Sequence, residues 1–145
     1  ESHYSRSFFR LSHPMKSILV FDDEHQRGEL ARALTGEGYD VLATGAYPEA
    51  ADKLTEGSVQ VLVVDLTEEN SLALLVKART TYPQVGCIAF AQQATPLGNE
   101  FLRLARGFRT QRVLDPPVLS TDIVSAVREL AWPEPRQGRG PAAVL

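Results

Sequence analysis

One cysteine, one methionine and one tryptophan are all that 145 residues hold of these types. A lone Cys87 excludes an internal disulfide. It stands in the apolar run Val85-Gly86-Cys87-Ile88-Ala89-Phe90 and reads as a buried core thiol, consistent with a reducing, cytoplasmic setting. No apolar stretch approaches the roughly 18 residues that cross a bilayer, so no membrane partner is expected. An excess of base is missing too: 15 Lys and Arg face 18 Asp and Glu, a net charge of −3, and no basic stripe appears. That argues against a nucleic-acid surface. There is no Gly-x-Ser-x-Gly elbow, no Gly-rich phosphate loop ending in Lys-Ser/Thr, and no pattern that sets His3 or His13 beside a nucleophile. The chain is therefore not read as an enzyme.

What is present has the length of one domain, with ordinary globular composition at 43% hydrophobic and 23% charged residues. Residues 1–14 contain no Met, and Met15 stands directly before the first apolar run. Residues 1–14 are accordingly read as a tag or upstream extension, and 15–131 as the folded domain. Residues 132–145, rich in Pro and Gly, read as a flexible tail or linker.

Between these ends, strand and helix patterns alternate. Short runs rich in β-branched residues fall at 17–22, 39–42, 59–65, 85–90 and 111–114. Helical spacing of apolar residues covers 25–36, 47–56, 70–80, 96–107 and 119–131, with Pro48 suited to a first turn and Gly36 or Gly38 to a helix end. Five strand–helix repeats predict an α/β fold, a five-stranded parallel sheet wound on both faces, with the flavodoxin-like order 2-1-3-4-5.

The most informative feature is where two runs stop. Ile18-Leu19-Val20-Phe21 ends in Asp22-Asp23-Glu24, and Val61-Leu62-Val63-Val64 ends in Asp65. In the predicted order these are the strands flanking the switch point, where open α/β sheets bind ligands. Packed carboxylates repel, and a divalent cation relieves them. Their blander use is to cap the following helices.

Together these residues resemble the receiver domain of two-component response regulators, over about residues 16–131. Ile18 to Glu24 is similar to that family's first strand and acidic pair. Gly36-Glu37-Gly38-Tyr39-Asp40-Val41 is similar to the turn into its second strand, and Val61 to Leu66 to the strand carrying its phospho-accepting aspartate. The resemblance implies that Asp65 is the acceptor and that Asp22 and Asp23 bind Mg²⁺, with the backbone carbonyl of Thr67 as a further ligand. It also implies a sensor histidine kinase or other signalling protein as partner. A homodimer through the fourth helix, fifth strand and fifth helix, a face that includes Phe101, Phe108, Arg109 and Arg112, is a further implied option.

The chain departs from that pattern at its switch positions. Ala91 (or Phe90, one register away) stands where the family has a Ser or Thr hydroxyl at the end of strand four. Asp115, before Pro116, stands where it has Lys, unless Asp115 is simply a solvated turn residue. Arg112 is the nearest equivalent of its strand-five aromatic. Thr67-Glu68-Glu69-Asn70-Ser71 adds acid beside the pocket. These losses remove a cationic clamp and a hydrogen bond from a phosphoryl group, so an atypical or pseudo-receiver that acts by protein contact is expected. The alternative is a conventional phosphorylatable receiver with unusual switch residues. A weaker pattern, Asp23-Glu24-His25-Gln26-Arg27-Gly28, is similar to the Asp-x-His-x-x-Gly of cobalamin-binding domains. The companion Ser-x-Leu and Gly-Gly are missing, since Asp65-Leu66-Thr67 and Ala91-Gln92-Gln93 stand there.

Overall fold

The computed structural model describes residues 17–22, 24–67 and 69–131. Residues 1–16, the tail 132–145, Asp23 and Glu68 lie outside the described residues, as do the side chains of 24–27 and 69.

The sheet has five parallel strands in the order β2-β1-β3-β4-β5. They are β1 (Ser17–Phe21), β2 (Asp40–Thr44), β3 (Val61–Asp65), β4 (Gly86–Phe90) and β5 (Arg112–Leu114). The helices between and after them are α1 (Glu24–Gly36), α2 (Tyr47–Glu56), α3 (Glu69–Thr81), α4 (Pro96–Gly107) and α5 (Ser120–Leu130). Every residue of β1 and β3 is buried, as the unbroken apolar runs predict for strands covered on both faces.

Alternation sorts each strand's side chains into two layers. Leu19, Phe21, Leu62, Val64, Cys87 and Ala89 face α2, α3 and α4, where Leu54, Leu74, Leu75 and Leu102 meet them. Ile18, Val20, Val61, Val63, Ile88 and Phe90 face α1 and α5, where Leu30, Leu34, Ile123 and Val127 complete the layer. Glu29 of α1 and Glu37, in the turn just after it, also hold α5, through Ser120 Oγ at 3.0 Å and Arg128 Nη2 at 2.9 Å.

The ends of the elements follow local chemistry. Pro48 lies in the first turn of α2, and Gly57 ends that helix at φ 83, a left-handed conformation that glycine adopts without a Cβ penalty. Thr95 caps α4 by accepting from the Gly98 N–H at 3.0 Å. Asp122 accepts from the Leu119 N–H at 2.9 Å and starts α5 one residue later than the apolar spacing predicts. Strand two sits at 40–44 instead of 39–42, because the Tyr39 N–H closes onto the Leu34 carbonyl at the end of α1. Strand three begins at Val61; Val59 is buried ahead of it.

Candidate functional site at the carboxyl edge of the sheet

β1 pairs with β3 in the register Phe21↔Val64, so Asp22 and Asp65 stand next to each other one residue further on. Neighbouring strands are about 4.8 Å apart, and residues in register point to the same face. By alternation both aspartates extend the rows of Val20 and Val63, on the α1/α5 side. The backbone at each is fixed: the Asp22 N–H donates to the Thr44 carbonyl at 3.1 Å, and the Leu66 N–H to the Phe90 carbonyl at 2.8 Å. The Thr67 N–H turns back to the Asp65 carbonyl at 2.9 Å, which starts the loop into α3.

Asp22 is 3% exposed and Asp65 2%. Asp22 Oδ2 and Asp65 Oδ1 are both shielded from solvent. Carboxylates on adjacent strand ends repel each other, and a cation beside them offsets that repulsion. Hard carboxylate oxygens at a loop-rimmed edge suit Mg²⁺, which takes one or two protein carboxylates and keeps the rest of its shell for water and phosphate oxygens. The donors therefore fit the ion. Among the described residues no group of three or more His, Cys, Asp or Glu side chains forms a metal site, and Asp23 lies outside that set. Thr67 is exposed on the rim. His25 belongs to the first turn of α1, its side chain outside the described set.

The positions expected to differ from a phosphoryl-responsive site are spread apart. Ala91 follows β4 directly and is 3% exposed, packed in the α2–α4 layer. Asp115 is exposed, in keeping with the alternative of a solvated turn residue, and its Oδ1 accepts from Arg106 Nη2 of α4 at 2.8 Å. Arg112 is not on the Ala91 side. Its Nε donates to Glu129 Oε1 of α5 at 2.9 Å, and the β5 side chain that packs into the Ala91 layer is Val113. The reason is alternation along a three-residue edge strand: Arg112 and Leu114 share one face, Val113 takes the other.

One further residue joins the loops at this edge. Gln92 Nε2 donates to the Val118 carbonyl at 3.4 Å, linking the β4–α4 loop to the β5–α5 loop. Nothing in the sequence pattern signals this contact, because it joins segments from separate repeats. A cavity of about 400 Å³ lies elsewhere, between β5 and α5, lined by Arg112, Leu114, Asp122 and Glu129 among others.

No family model and no curated protein matches the sequence. Solved structures do. The match to a CheY-like response regulator receiver domain protein from Methanospirillum hungatei JF-1 has a TM-score of 0.65 at 23% identity, over 79% of this chain and 92% of that one. This chain has the receiver-domain fold. A response regulator receiver domain protein from Clostridium thermocellum matches with a TM-score of 0.67 at 23% identity, over 81% and 94%. The response regulator protein TrrA from Thermotoga maritima, solved in complex with Mg²⁺–BeF, matches with a TM-score of 0.67 at 21% identity, over 80% and 99%. The receiver fold puts the switch point between β1 and β3, the two strands that end in Asp22 and Asp65. Among the described residues, no helix of this receiver fold is long and apolar enough to cross a membrane.

Proposed function

We propose that this chain is an atypical receiver module of two-component signalling that acts in the cytoplasm through protein contact, not as an enzyme. The observation that carries the reading is the pair of buried carboxylates, Asp22 and Asp65, side by side at the switch point. Asp65 stands in the acceptor position. Asp22, Asp23 and the Thr67 carbonyl would hold Mg²⁺, which offsets charge on a carboxylate nucleophile and on phosphoryl oxygens when bound. A sensor histidine kinase or another signalling protein is the natural partner of such a module.

The reading is atypical because the groups that would recognise a phosphoryl group are absent from the described rim. Ala91 has no hydroxyl. Asp115 and Arg112 are each engaged in exposed ion pairs with residues of neighbouring helices. Each preorganised donor missing from a charge-developing site is worth about 3 kcal/mol of transition-state stabilisation. Phosphoryl transfer to Asp65 is then slow, and any transfer is poorly relayed. A homodimer through α4, β5 and α5 is less favoured, since Arg106–Asp115 and Arg112–Glu129 already satisfy charges of that face within one chain.

Mass spectrometry and amide NMR after incubation with Mg²⁺ and acetyl phosphate, or with Mg²⁺ and beryllofluoride, test this. Metal-dependent shifts in the loops around Asp22 and Asp65 without a stable aspartyl adduct are expected. A stable adduct at Asp65, with shifts running through β4 and α4, would establish a conventional phosphorylatable receiver instead.

A further inference from the structure

β5 is the outer strand of the sheet, and α5 does not close over it completely. The cavity of about 400 Å³ between them opens to solvent as a groove. Its volume falls in the range, about 300–1,000 Å³, of sites that seat a ligand. Leu114 and Val118 give it an apolar lining, Asp115, Asp122 and Glu129 an acidic one, and Arg112 is the one cation among the described residues that line it. Arg106 and Arg112 take up only Oδ1 of Asp115 and Oε1 of Glu129, which leaves both carboxylates a second oxygen.

The chain leaves the described fold at one end of this groove. Arg112, the first residue of β5, bonds Glu129 near the end of α5, so α5 finishes beside the start of β5. Ala131 there is 1% exposed and belongs to the α1/α5 core layer. The sequence continues Trp132-Pro133-Glu134-Pro135-Arg136-Gln137-Gly138-Arg139, with two arginines against one acid.

We propose that residues 133–139 of this same chain occupy the groove, running back along α5 with Arg136 and Arg139 against its carboxylates. The distances allow this. From Glu129 to Asp122, α5 spans about 10 Å at about 1.5 Å per residue. An extended Pro-rich stretch covers about 3.1 Å per residue, so Arg136 and Arg139 reach about 12 and 22 Å from Trp132. Pro133 and Pro135 favour that extended form before docking, which lowers the entropy cost of ordering it. Tethering supplies an effective concentration of about millimolar, so contacts that are individually weak suffice. The segment lies in the groove and not as a sixth parallel strand. α5 is on the α1 face, and a crossover from β5 through it to a new outer strand would be left-handed. Docked there, the segment covers the edge of β5 against other chains. Asp22 and Asp65 do not line the groove, and docking is independent of what that pair binds.

A nitroxide placed on the whole chain through Gln137→Cys tests this by amide NMR. Cys87 is buried and does not compete for the reagent. The amides of Leu114, Asp122 and Ser125 are expected to lose intensity, and those of β2, at the opposite edge of the sheet, to keep it. Adding Arg136→Gln and Arg139→Gln, or about 1 M NaCl, where charges act over only about 3 Å, is expected to restore the lost intensity. Loss confined to Leu130 and Ala131, as an undocked tail gives, would overturn the proposal. Loss that both the Gln substitutions and salt leave unchanged overturns it as well, since the recognition is then not ionic. Mixing spin-labelled chain with isotope-labelled chain that carries no nitroxide identifies a second copy: loss in the groove of the isotope-labelled chain means that another molecule's tail sits there. A nitroxide at Ser5→Cys that bleaches the groove while Gln137→Cys does not would give the groove to residues 1–16 instead.

Discussion

Cys87 shows how strongly one position can be set by its surroundings. Its side chain is fully buried in the α2–α4 layer, and burial pushes the thiol up from 9.0 to about 11, against a partial opposing pull from the Arg79 guanidinium. The neutral thiol is therefore the native form. The stability this confers is complete below pH 9 and is lost as pH rises through the folded value near 11, since the unfolded chain ionises first. Two units correspond to roughly 3 kcal/mol. Burial also raises the Tyr39 phenol, which adds a loss of the same sign at still higher pH. Urea unfolding at pH 8 and pH 10.5 is expected to show the drop, and Cys87→Ala to remove the cysteine's share of it. An alkaline slope identical in the variant would mean that Cys87 is not buried as described. The same position was readable as a core thiol from its apolar run alone. The direction of Asp115 was not, because it depends on Arg106, nine residues earlier on a separate helix.

Elements differ in how much of the fold they carry, and the contrast is measurable. β3 is central and buried throughout, with Leu62 wholly enclosed among α2–α4 side chains. Truncating Leu62 to Ala removes its apolar burial and leaves a cavity, at a cost of about 2–5 kcal/mol. The link from the turn after α1 to α5 through Glu37 and Arg128 is exposed to solvent, so Arg128→Ala is expected to cost less than about 1 kcal/mol. Chemical denaturation of the two variants checks the ranking, and equal losses would show that the two helices depend on surface charge and not on Leu30, Leu34, Ile123 and Val127. These buried elements were also the most legible ones. α2 and α4 fall at 47–56 and 96–107, as the apolar spacing of both and the Pro48 entry of the first predict. β5 is the least regular strand, three residues long at an edge, and the sequence pattern did not say which of its side chains turn inward: Val113 packs into the α2–α4 layer while Arg112 pairs with Glu129 of α5. A run that short has no alternation to fix its phase; only the pairing of Ile88 with Arg112 does so.

For the molecule as a whole, the decisive question is whether folding leaves a real cation site between β1 and β3. The fold tolerates buried acid there at some cost, because Asp22 and Asp65 are held in place by strand hydrogen bonds that have nothing to do with their side chains. A ligand that binds only the folded state adds stability by mass action, about 2.7 kcal/mol at a concentration one hundred times its dissociation constant. For a domain of this size each kcal/mol moves the melting temperature by about 4 °C. Scanning calorimetry in millimolar Mg²⁺, against NaCl of equal ionic strength, is thus expected to show a rise of several degrees. Ca²⁺ should produce a rise as well, since it takes the same oxygen ligands with looser geometry. Asp22→Asn and Asp65→Asn should each flatten the response, because each removes one anionic ligand, while Asp115→Asn, whose carboxylate is turned to Arg106, should leave it intact. That third variant separates a local site from a general effect of negative charge: if all three substitutions weaken the response equally, the ion is screening the surface of a chain with net charge −3 and is not held between the strand ends. A melting temperature that does not move across millimolar Mg²⁺ would remove the pocket altogether and leave the buried pair as a structural feature of the sheet edge.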